Sequence, residues 1–201
     1  MSSIWLLHCM DSRVAEPTLG FLHGWGLHGG IWSETTPQFV DRNLCLTPDL
    51  PGYGEVESVV PYNAETLADA LAATLPDAAA VCGWSLGGLV ALARAARHPH
   101  QVARLVLLAT KREGVSRPDW PHGLAPEVLA EFARALSEDY KATLMRFLSL
   151  QARGGDQARA VIERLRGSVF QRGEPAASTL AVGLDLLRDV DLRGTVKQVR
   201  C

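Results

Sequence analysis

The sequence predicts an α/β fold, a mostly parallel sheet with helices on both faces and an inserted helical lid. Two observations predict it. Short, wholly apolar segments of strand length alternate with helical stretches from Leu19 to Ala109, and after Thr110 the strand signals give way to helical stripes. Strands that are apolar on both sides need cover on both faces, which crossover helices supply to a parallel sheet.

The elements follow in order. Leu19–His23 is a short apolar run that ends at the glycine-rich His23-Gly24-Trp25-Gly26. A second run, Leu44–Pro48, leads into Asp49-Leu50-Pro51-Gly52-Tyr53-Gly54. Asn63 is placed to cap a helix that carries Leu67, Leu71 and Leu75 on one face. Ala78–Cys82 is a third strand. Leu86–Arg97 is a helix stopped by His98-Pro99, and Val102–Ala109 is a fourth strand. Beyond a connector containing Gly114, Pro118 and Pro121, Val128, Leu129, Phe132 and Leu136 form one helical stripe. Ser137 is the expected cap of the next, with Glu138 and Asp139 in its first turn and Tyr140, Leu144, Phe147 and Leu148 on its face. Val161, Ile162 and Leu165 form a third stripe, and Leu180, Leu184 and Leu187 a fourth. Thr195–Cys201 reads as the approach to a further strand. The expected organisation is a core over 1–110, a lid over 111–190 and the start of a returning core strand over 191–201.

Composition excludes several classes. The chain has 201 residues, 47% hydrophobic and 21% charged, which is ordinary for one soluble domain. Met1–Val14 lacks the basic start of a signal peptide, and no apolar run approaches the ~20 residues of a membrane span. The cytoplasm is the expected location. Cys9, Cys45, Cys82 and Cys201 fit neither a disulfide framework nor a metal-ligand spacing, so no metal and no cofactor are expected; Cys45 and Cys82 are expected as buried thiols. The net charge of −2 conceals a basic stretch, with Lys141, Arg146, Arg153, Arg159, Arg164, Arg166 and Arg172 against Asp156 and Glu163. It reads as a solvated helical surface or as a docking face for an acidic partner. Nucleic-acid binding is not expected from so local a positive charge.

Gly83-Trp84-Ser85-Leu86-Gly87 carries the chemistry. Its pattern, G-x-S-x-G, falls between an apolar strand and a helix, where a serine on a sharp turn presents its hydroxyl above the sheet. The glycines leave room for the turn, and the helix N-terminus offers free N–H groups and partial positive charge to a developing oxyanion. As a purely structural element the same pattern would be a serine cap between close-packed glycines. The loop 23–26 supplies a second N–H, so the N–H groups of Trp25 and Leu86 are the expected oxyanion hole. His23 is expected to hold its loop by hydrogen bonds rather than to act as base, and Asp49 to fix a turn.

HGWGLHGGIW, LTPDLPGYG, GWSLGGLVAL, RFLSLQ and VDLR, in that order, resemble the pimeloyl-[acyl-carrier protein] methyl ester esterases of biotin synthesis, serine carboxylesterases of the α/β-hydrolase superfamily. The resemblance implies an α/β-hydrolase fold, with Ser85 as nucleophile and Trp25 and Leu86 at the oxyanion hole. It implies that Phe147, Leu148, Ser149, Leu150 and Gln151 contact the acyl chain. Arg146 and Arg159 match basic positions that meet the acidic carrier protein. Two further basic positions of the family face Ala142 and Glu163, with Lys141 and Arg164 one residue away. The implied reaction is hydrolysis of the methyl ester of an acyl carrier protein's pimeloyl chain, by a protein that is a monomer at full length. Small esters are further expected substrates.

In that superfamily the acid and the histidine follow the serine, and no residue of this sequence matches either position. The expectation is a truncated form of a longer protein, or a split system, with one sheet edge left open. His98 and His100 lie roughly 20 Å from Ser85 along a helix, which leaves His122 as the only stand-in for the base. A generalist esterase and a non-catalytic module that binds acylated carrier are the alternative readings.

Overall fold

The computed structural model describes residues 4–7, 17–111, 115, 116, 118, 121, 123, 125–151, 160, 163, 165, 167 and 169–201. Five strands form one sheet: β1 (Ile4–Leu7), β2 (Leu19–Leu22), β3 (Cys45–Leu46), β4 (Ala79–Trp84) and β5 (Val102–Leu108), in the order β1-β5-β4-β2-β3. Strands β2 to β5 run parallel, and β1 pairs antiparallel with β5, Ile4 facing Leu108. No element is expected over Ile4–Leu7 from the sequence. As an edge strand it covers the outer side of β5, so that edge is not open as expected.

Helix α1 (Ala64–Ala70) starts as predicted, with the Asn63 carboxamide oxygen accepting the Thr66 N–H at 2.9 Å. Leu67, Leu71 and Leu75 are all buried, although the helix tightens to a 3-10 turn from Leu71. Helix α2 (Leu86–Arg97) is buried at every residue from Leu86 to Ala95, because it packs on β4 and β5 on one side and α1 on the other. The opposite face of β2 presents Phe21, whose ring meets Trp32 at 5.3 Å and Phe39 at 6.0 Å across the 3-10 turns Gly29–Trp32 and Thr36–Gln38. Both faces of the sheet are therefore covered.

After β5 come α3 (Pro126–Glu138), α4 (Tyr140–Gln151) and α5 (Ala177–Asp189), with α3 packed against both others. Ser137 is not the cap of α4. Helix α3 continues through it, and its hydroxyl donates back to the Arg134 carbonyl; the Asp139 carboxylate accepts the Ala142 N–H instead. A carboxylate at that position satisfies an orphan N–H and also complements the helix dipole. Of the third stripe, Val161 and Ile162 lie outside the described residues, while Leu165 is half-buried and helical.

The expected start of a returning strand is not formed within 191–201. Arg193–Val196 makes a single helical turn, α6, and no strand follows it. Leu192 is buried, and the Asp191 carboxylate accepts both the Arg193 N–H and its guanidinium, which starts a turn rather than an extended segment. Cys45 and Cys82 are half-buried rather than buried, and both are free; desolvation pushes the Cys82 thiol up to about 11, so it stays protonated at neutral pH.

Candidate active site

Strand β4 ends at Trp84 and α2 begins at Leu86, so Ser85 alone makes the turn between them. Its backbone sits at φ 54°, ψ −114°, a conformation that costs a side-chain-bearing residue about 1–3 kcal/mol. The Ser85 N–H is held by the Leu108 carbonyl of β5 at 2.9 Å, and its carbonyl accepts the Gly88 and Leu89 N–H groups. Its hydroxyl stands at the N-terminal end of α2, beside N–H groups that the helix geometry leaves unpaired.

Sterics show why this turn needs its glycines. A Cβ on Gly83 would lie 2.5 Å from the Gly87 carbonyl oxygen and 2.5 Å from Gly88 Cα. One on Gly87 would lie 2.5 Å from the His23 carbonyl oxygen and 2.6 Å from that of Leu22. A Cβ on Gly88 would collide with the Thr110 hydroxyl.

The loop 23–26 lies against this turn. A Cβ on Gly24 would stand 3.5 Å from Ser85 Cβ, which is ordinary contact, so the loop backbone and the serine are neighbours. Trp25 is 1% exposed, and its indole N–H donates to the Leu180 carbonyl of α5 at 2.9 Å. Its ring meets Phe132 of α3 and Phe147 of α4, each at 5.5 Å in edge-to-face geometry. The Gly26 N–H donates to the Tyr53 hydroxyl at 3.4 Å. Three helices of the lid thus converge on one residue of the predicted oxyanion hole. Sequence periodicity marked Phe132 only as part of a stripe. Nothing local in the sequence signals the Leu180 or Tyr53 contacts, which join residues 155 and 27 positions apart.

His23 is fully buried. Its Nε2 accepts the Leu50 N–H at 2.9 Å, and its Nδ1–H donates to the Gly24 carbonyl at 2.9 Å. Both ring nitrogens are committed to loops, so it is a brace and not a base. Burial pushes its imidazole down to about 4 from 6.5. An unfolded chain titrates at the higher value, so between the two the unfolded state takes up a proton that the folded state excludes. The stabilisation is full above pH 6.5 and lost as the pH falls towards 4, a swing of about 3 kcal/mol. Urea unfolding at pH 7 and at pH 4.5 is expected to show this loss in wild type and to show less of it in His23→Gln.

The remaining candidates separate. The Asp49 carboxylate accepts the Gly29 N–H and lies 3.3 Å from the Arg172 guanidinium, so it fixes a turn as expected and also ties it to the end of the lid. His28 accepts the Gly30 N–H. His98 pairs with Asp69 at the far end of α2, and His100 lies 4.0 Å from Asp77. His8 and His122 lie outside the described residues. Among the described residues no side chain hydrogen-bonds to Ser85 Oγ, and no group of three or more His, Cys, Asp and Glu could hold a metal ion.

On α4, Phe147 faces Trp25, and Leu148 is fully buried next to Leu144 in the core. The Ser149 hydroxyl donates to the Met145 carbonyl, and Leu150 is 44% exposed, so neither is brought to Trp25 by a described contact. The side chain of Gln151 lies outside the described residues, as does Arg159. Arg146 is exposed, and Glu163 is exposed as well. Lys141 is not a free cation: its ammonium lies 2.6 Å from Glu174, which also accepts from the Tyr140 hydroxyl.

A family model described as the alpha/beta hydrolase family matches residues 21–196. The chain belongs to that family. Its sequence relatives include proteins named pimeloyl-[acyl-carrier protein] methyl ester esterase. The one from Aromatoleum aromaticum is 44% identical over 92% of this chain and 76% of its own length, and the one from Chromobacterium violaceum is 40% identical over 92% and 72%. These identities place this alpha/beta hydrolase among the carboxylic ester hydrolases. Solved structures share the fold at lower identity. An esterase from Exiguobacterium antarcticum superposes with a TM-score of 0.75 at 15% identity over 99% of this chain and 74% of that one. A thermophilic esterase from Thermogutta terrifontis gives 0.74 at 20% identity over 100% and 72%.

Proposed function

We propose that the protein is a serine carboxylesterase that hydrolyses the methyl ester of pimeloyl-[acyl-carrier protein]. The observation that carries this reading is Ser85, strained at the N-terminus of α2 with the Trp25 loop against it, in a chain whose relatives bear that name. In the reaction, Ser85 Oγ adds to the ester carbonyl carbon and loses its proton to a base. The carbonyl oxygen becomes an anion facing the N–H groups of Trp25 and Leu86. Collapse of this intermediate expels methoxide, which takes up the proton and leaves as methanol. Water then adds to the acyl-enzyme by the same route, releasing the free carboxylate and restoring the serine. Phe147 and Phe132, resting on the Trp25 ring, supply an apolar wall for a medium-length acyl chain.

Mass spectrometry of the acylated carrier after incubation tests the assignment: loss of one methylene's mass from the ester terminus, with the thioester to the carrier intact, is the expected result. Cleavage of other esters with this one untouched would remove the substrate.

The exposed Arg146 on α4 favours one second reading, a module that binds acylated carrier without turning it over. It predicts retention of the methyl ester with salt-sensitive binding. Both readings use the basic lid face to meet the acidic carrier, and both put the protein in the cytoplasm with it; among the described residues no helix is long and apolar enough to cross a membrane. Arg146→Glu is expected to weaken carrier binding roughly fivefold at low salt and to flatten its salt dependence, as measured by calorimetry.

A further inference from the structure

Helix α5 carries a glycine at its centre, a residue that a helix interior disfavours. The reason lies across the interface. A Cβ on Gly183 would stand 2.9 Å from Trp25 Cδ1, 3.1 Å from Trp25 Nε1 and 3.6 Å from the Tyr53 hydroxyl. One turn earlier, the Leu180 carbonyl receives the indole N–H of Trp25 at 2.9 Å. Tyr53 in turn receives the Gly26 N–H. The single turn Leu180–Gly183 therefore grips the indole of Trp25 and abuts the hydroxyl that holds the next residue's N–H. Both anchors fall on the C-terminal side of the Trp25 peptide N–H, whose other neighbour is Gly24, packed against Ser85.

We propose that Gly183 is a positioning residue for the oxyanion hole. It leaves the space that lets α5 sit flush on the indole, and that seating fixes the direction of the Trp25 N–H. Seating of the lid and readiness of the hole are then one event. The inference rests on the reading of Ser85 as nucleophile and Trp25 as oxyanion donor.

Two ligands separate positioning from packing. Hexylboronic acid adds to a serine hydroxyl to give a tetrahedral anion with an oxygen in the oxyanion hole. Hexan-1-ol fills the same apolar wall without that charge. In Gly183→Ala, boronate affinity is expected to fall at least ~tenfold, hexanol affinity to change less than ~twofold, and the melting temperature to fall by only a few degrees, because the better helix propensity of alanine offsets part of the overpacking against the indole. The Trp25 indole N–H resonance is expected to shift as its bond to Leu180 lengthens. Trp25→Phe, which keeps a ring and removes the indole donor, is expected to lose boronate affinity at least ~tenfold; where Gly183→Ala fails to fold, unchanged boronate affinity in Trp25→Phe would overturn the positioning role.

Equal loss of both ligands, or unchanged boronate affinity with a shifted indole resonance, would overturn the positioning role and leave the nucleophile intact. A wild-type protein that binds the boronate no better than Ser85→Ala does would remove the nucleophile reading, and this inference with it.

Discussion

Ser85→Ala is expected to lower methyl ester hydrolysis by at least ~10⁴-fold while leaving acyl-carrier affinity within about twofold, since the hydroxyl forms the covalent intermediate and contributes little to ground-state binding. Stability should not fall. The serine pays a strain cost at φ 54°, but alanine would bear the same strain, and the hydroxyl makes no hydrogen bond among the described residues. An unchanged melting temperature beside a lost rate, measured on the same preparation, separates the chemical role of this side chain from its backbone role.

The second large effect falls on stability. Gly87→Ala places a methyl group 2.5 Å from the His23 carbonyl oxygen and 2.6 Å from that of Leu22. Neither is a flexible side chain that can swing away. Leu22 lies in β2, and His23 is pinned at both ring nitrogens. Alanine gains about 1 kcal/mol of helix propensity over glycine, but overpacking against fixed backbone costs about 1–3 kcal/mol, and the clash is severe enough to take the upper part of that range. The expected net loss of about 2 kcal/mol lowers the melting temperature by roughly 4–8 °C for a chain of this size. The shift also moves the loop that carries Trp25, so hydrolysis should fall beyond what the unfolded fraction explains. Differential scanning calorimetry with parallel rate measurements checks both. Gly183→Ala makes the useful contrast, because there the new methyl group meets a side chain rather than the sheet backbone.

These two glycines show why part of the molecule was legible in the sequence. The turn at Ser85 is a local event: the strand before it, the helix after it and the glycines that relieve it all fall within a few residues, so its place could be read directly. The parallel strands and the Asn63 cap are legible for the same reason, although β3 and most of β5 are half-buried rather than buried. What escaped was non-local or close-run. Ile4–Leu7 is four residues long, and its pairing with β5 depends on a strand about a hundred positions away. Ser137 and Asp139 are both good caps two residues apart, and the continuation of α3 to Glu138 leaves the role to Asp139. The segment after Leu192 has apolar residues enough for a strand, but Asp191 starts a helical turn there. In the site, Tyr53, Leu180 and Gly183 are drawn together by the lid's seat on Trp25, and no spacing in the sequence encodes that meeting.

The most direct test of the whole account is to trap the acyl-enzyme. The protein is incubated with the pimeloyl-carrier methyl ester, quenched in acid within the first turnover and digested for peptide mass spectrometry. The account predicts an acyl adduct on the peptide containing Ser85, absent in Ser85→Ala. Turnover of the ester with the adduct on another residue, or persisting in Ser85→Ala, would contradict it.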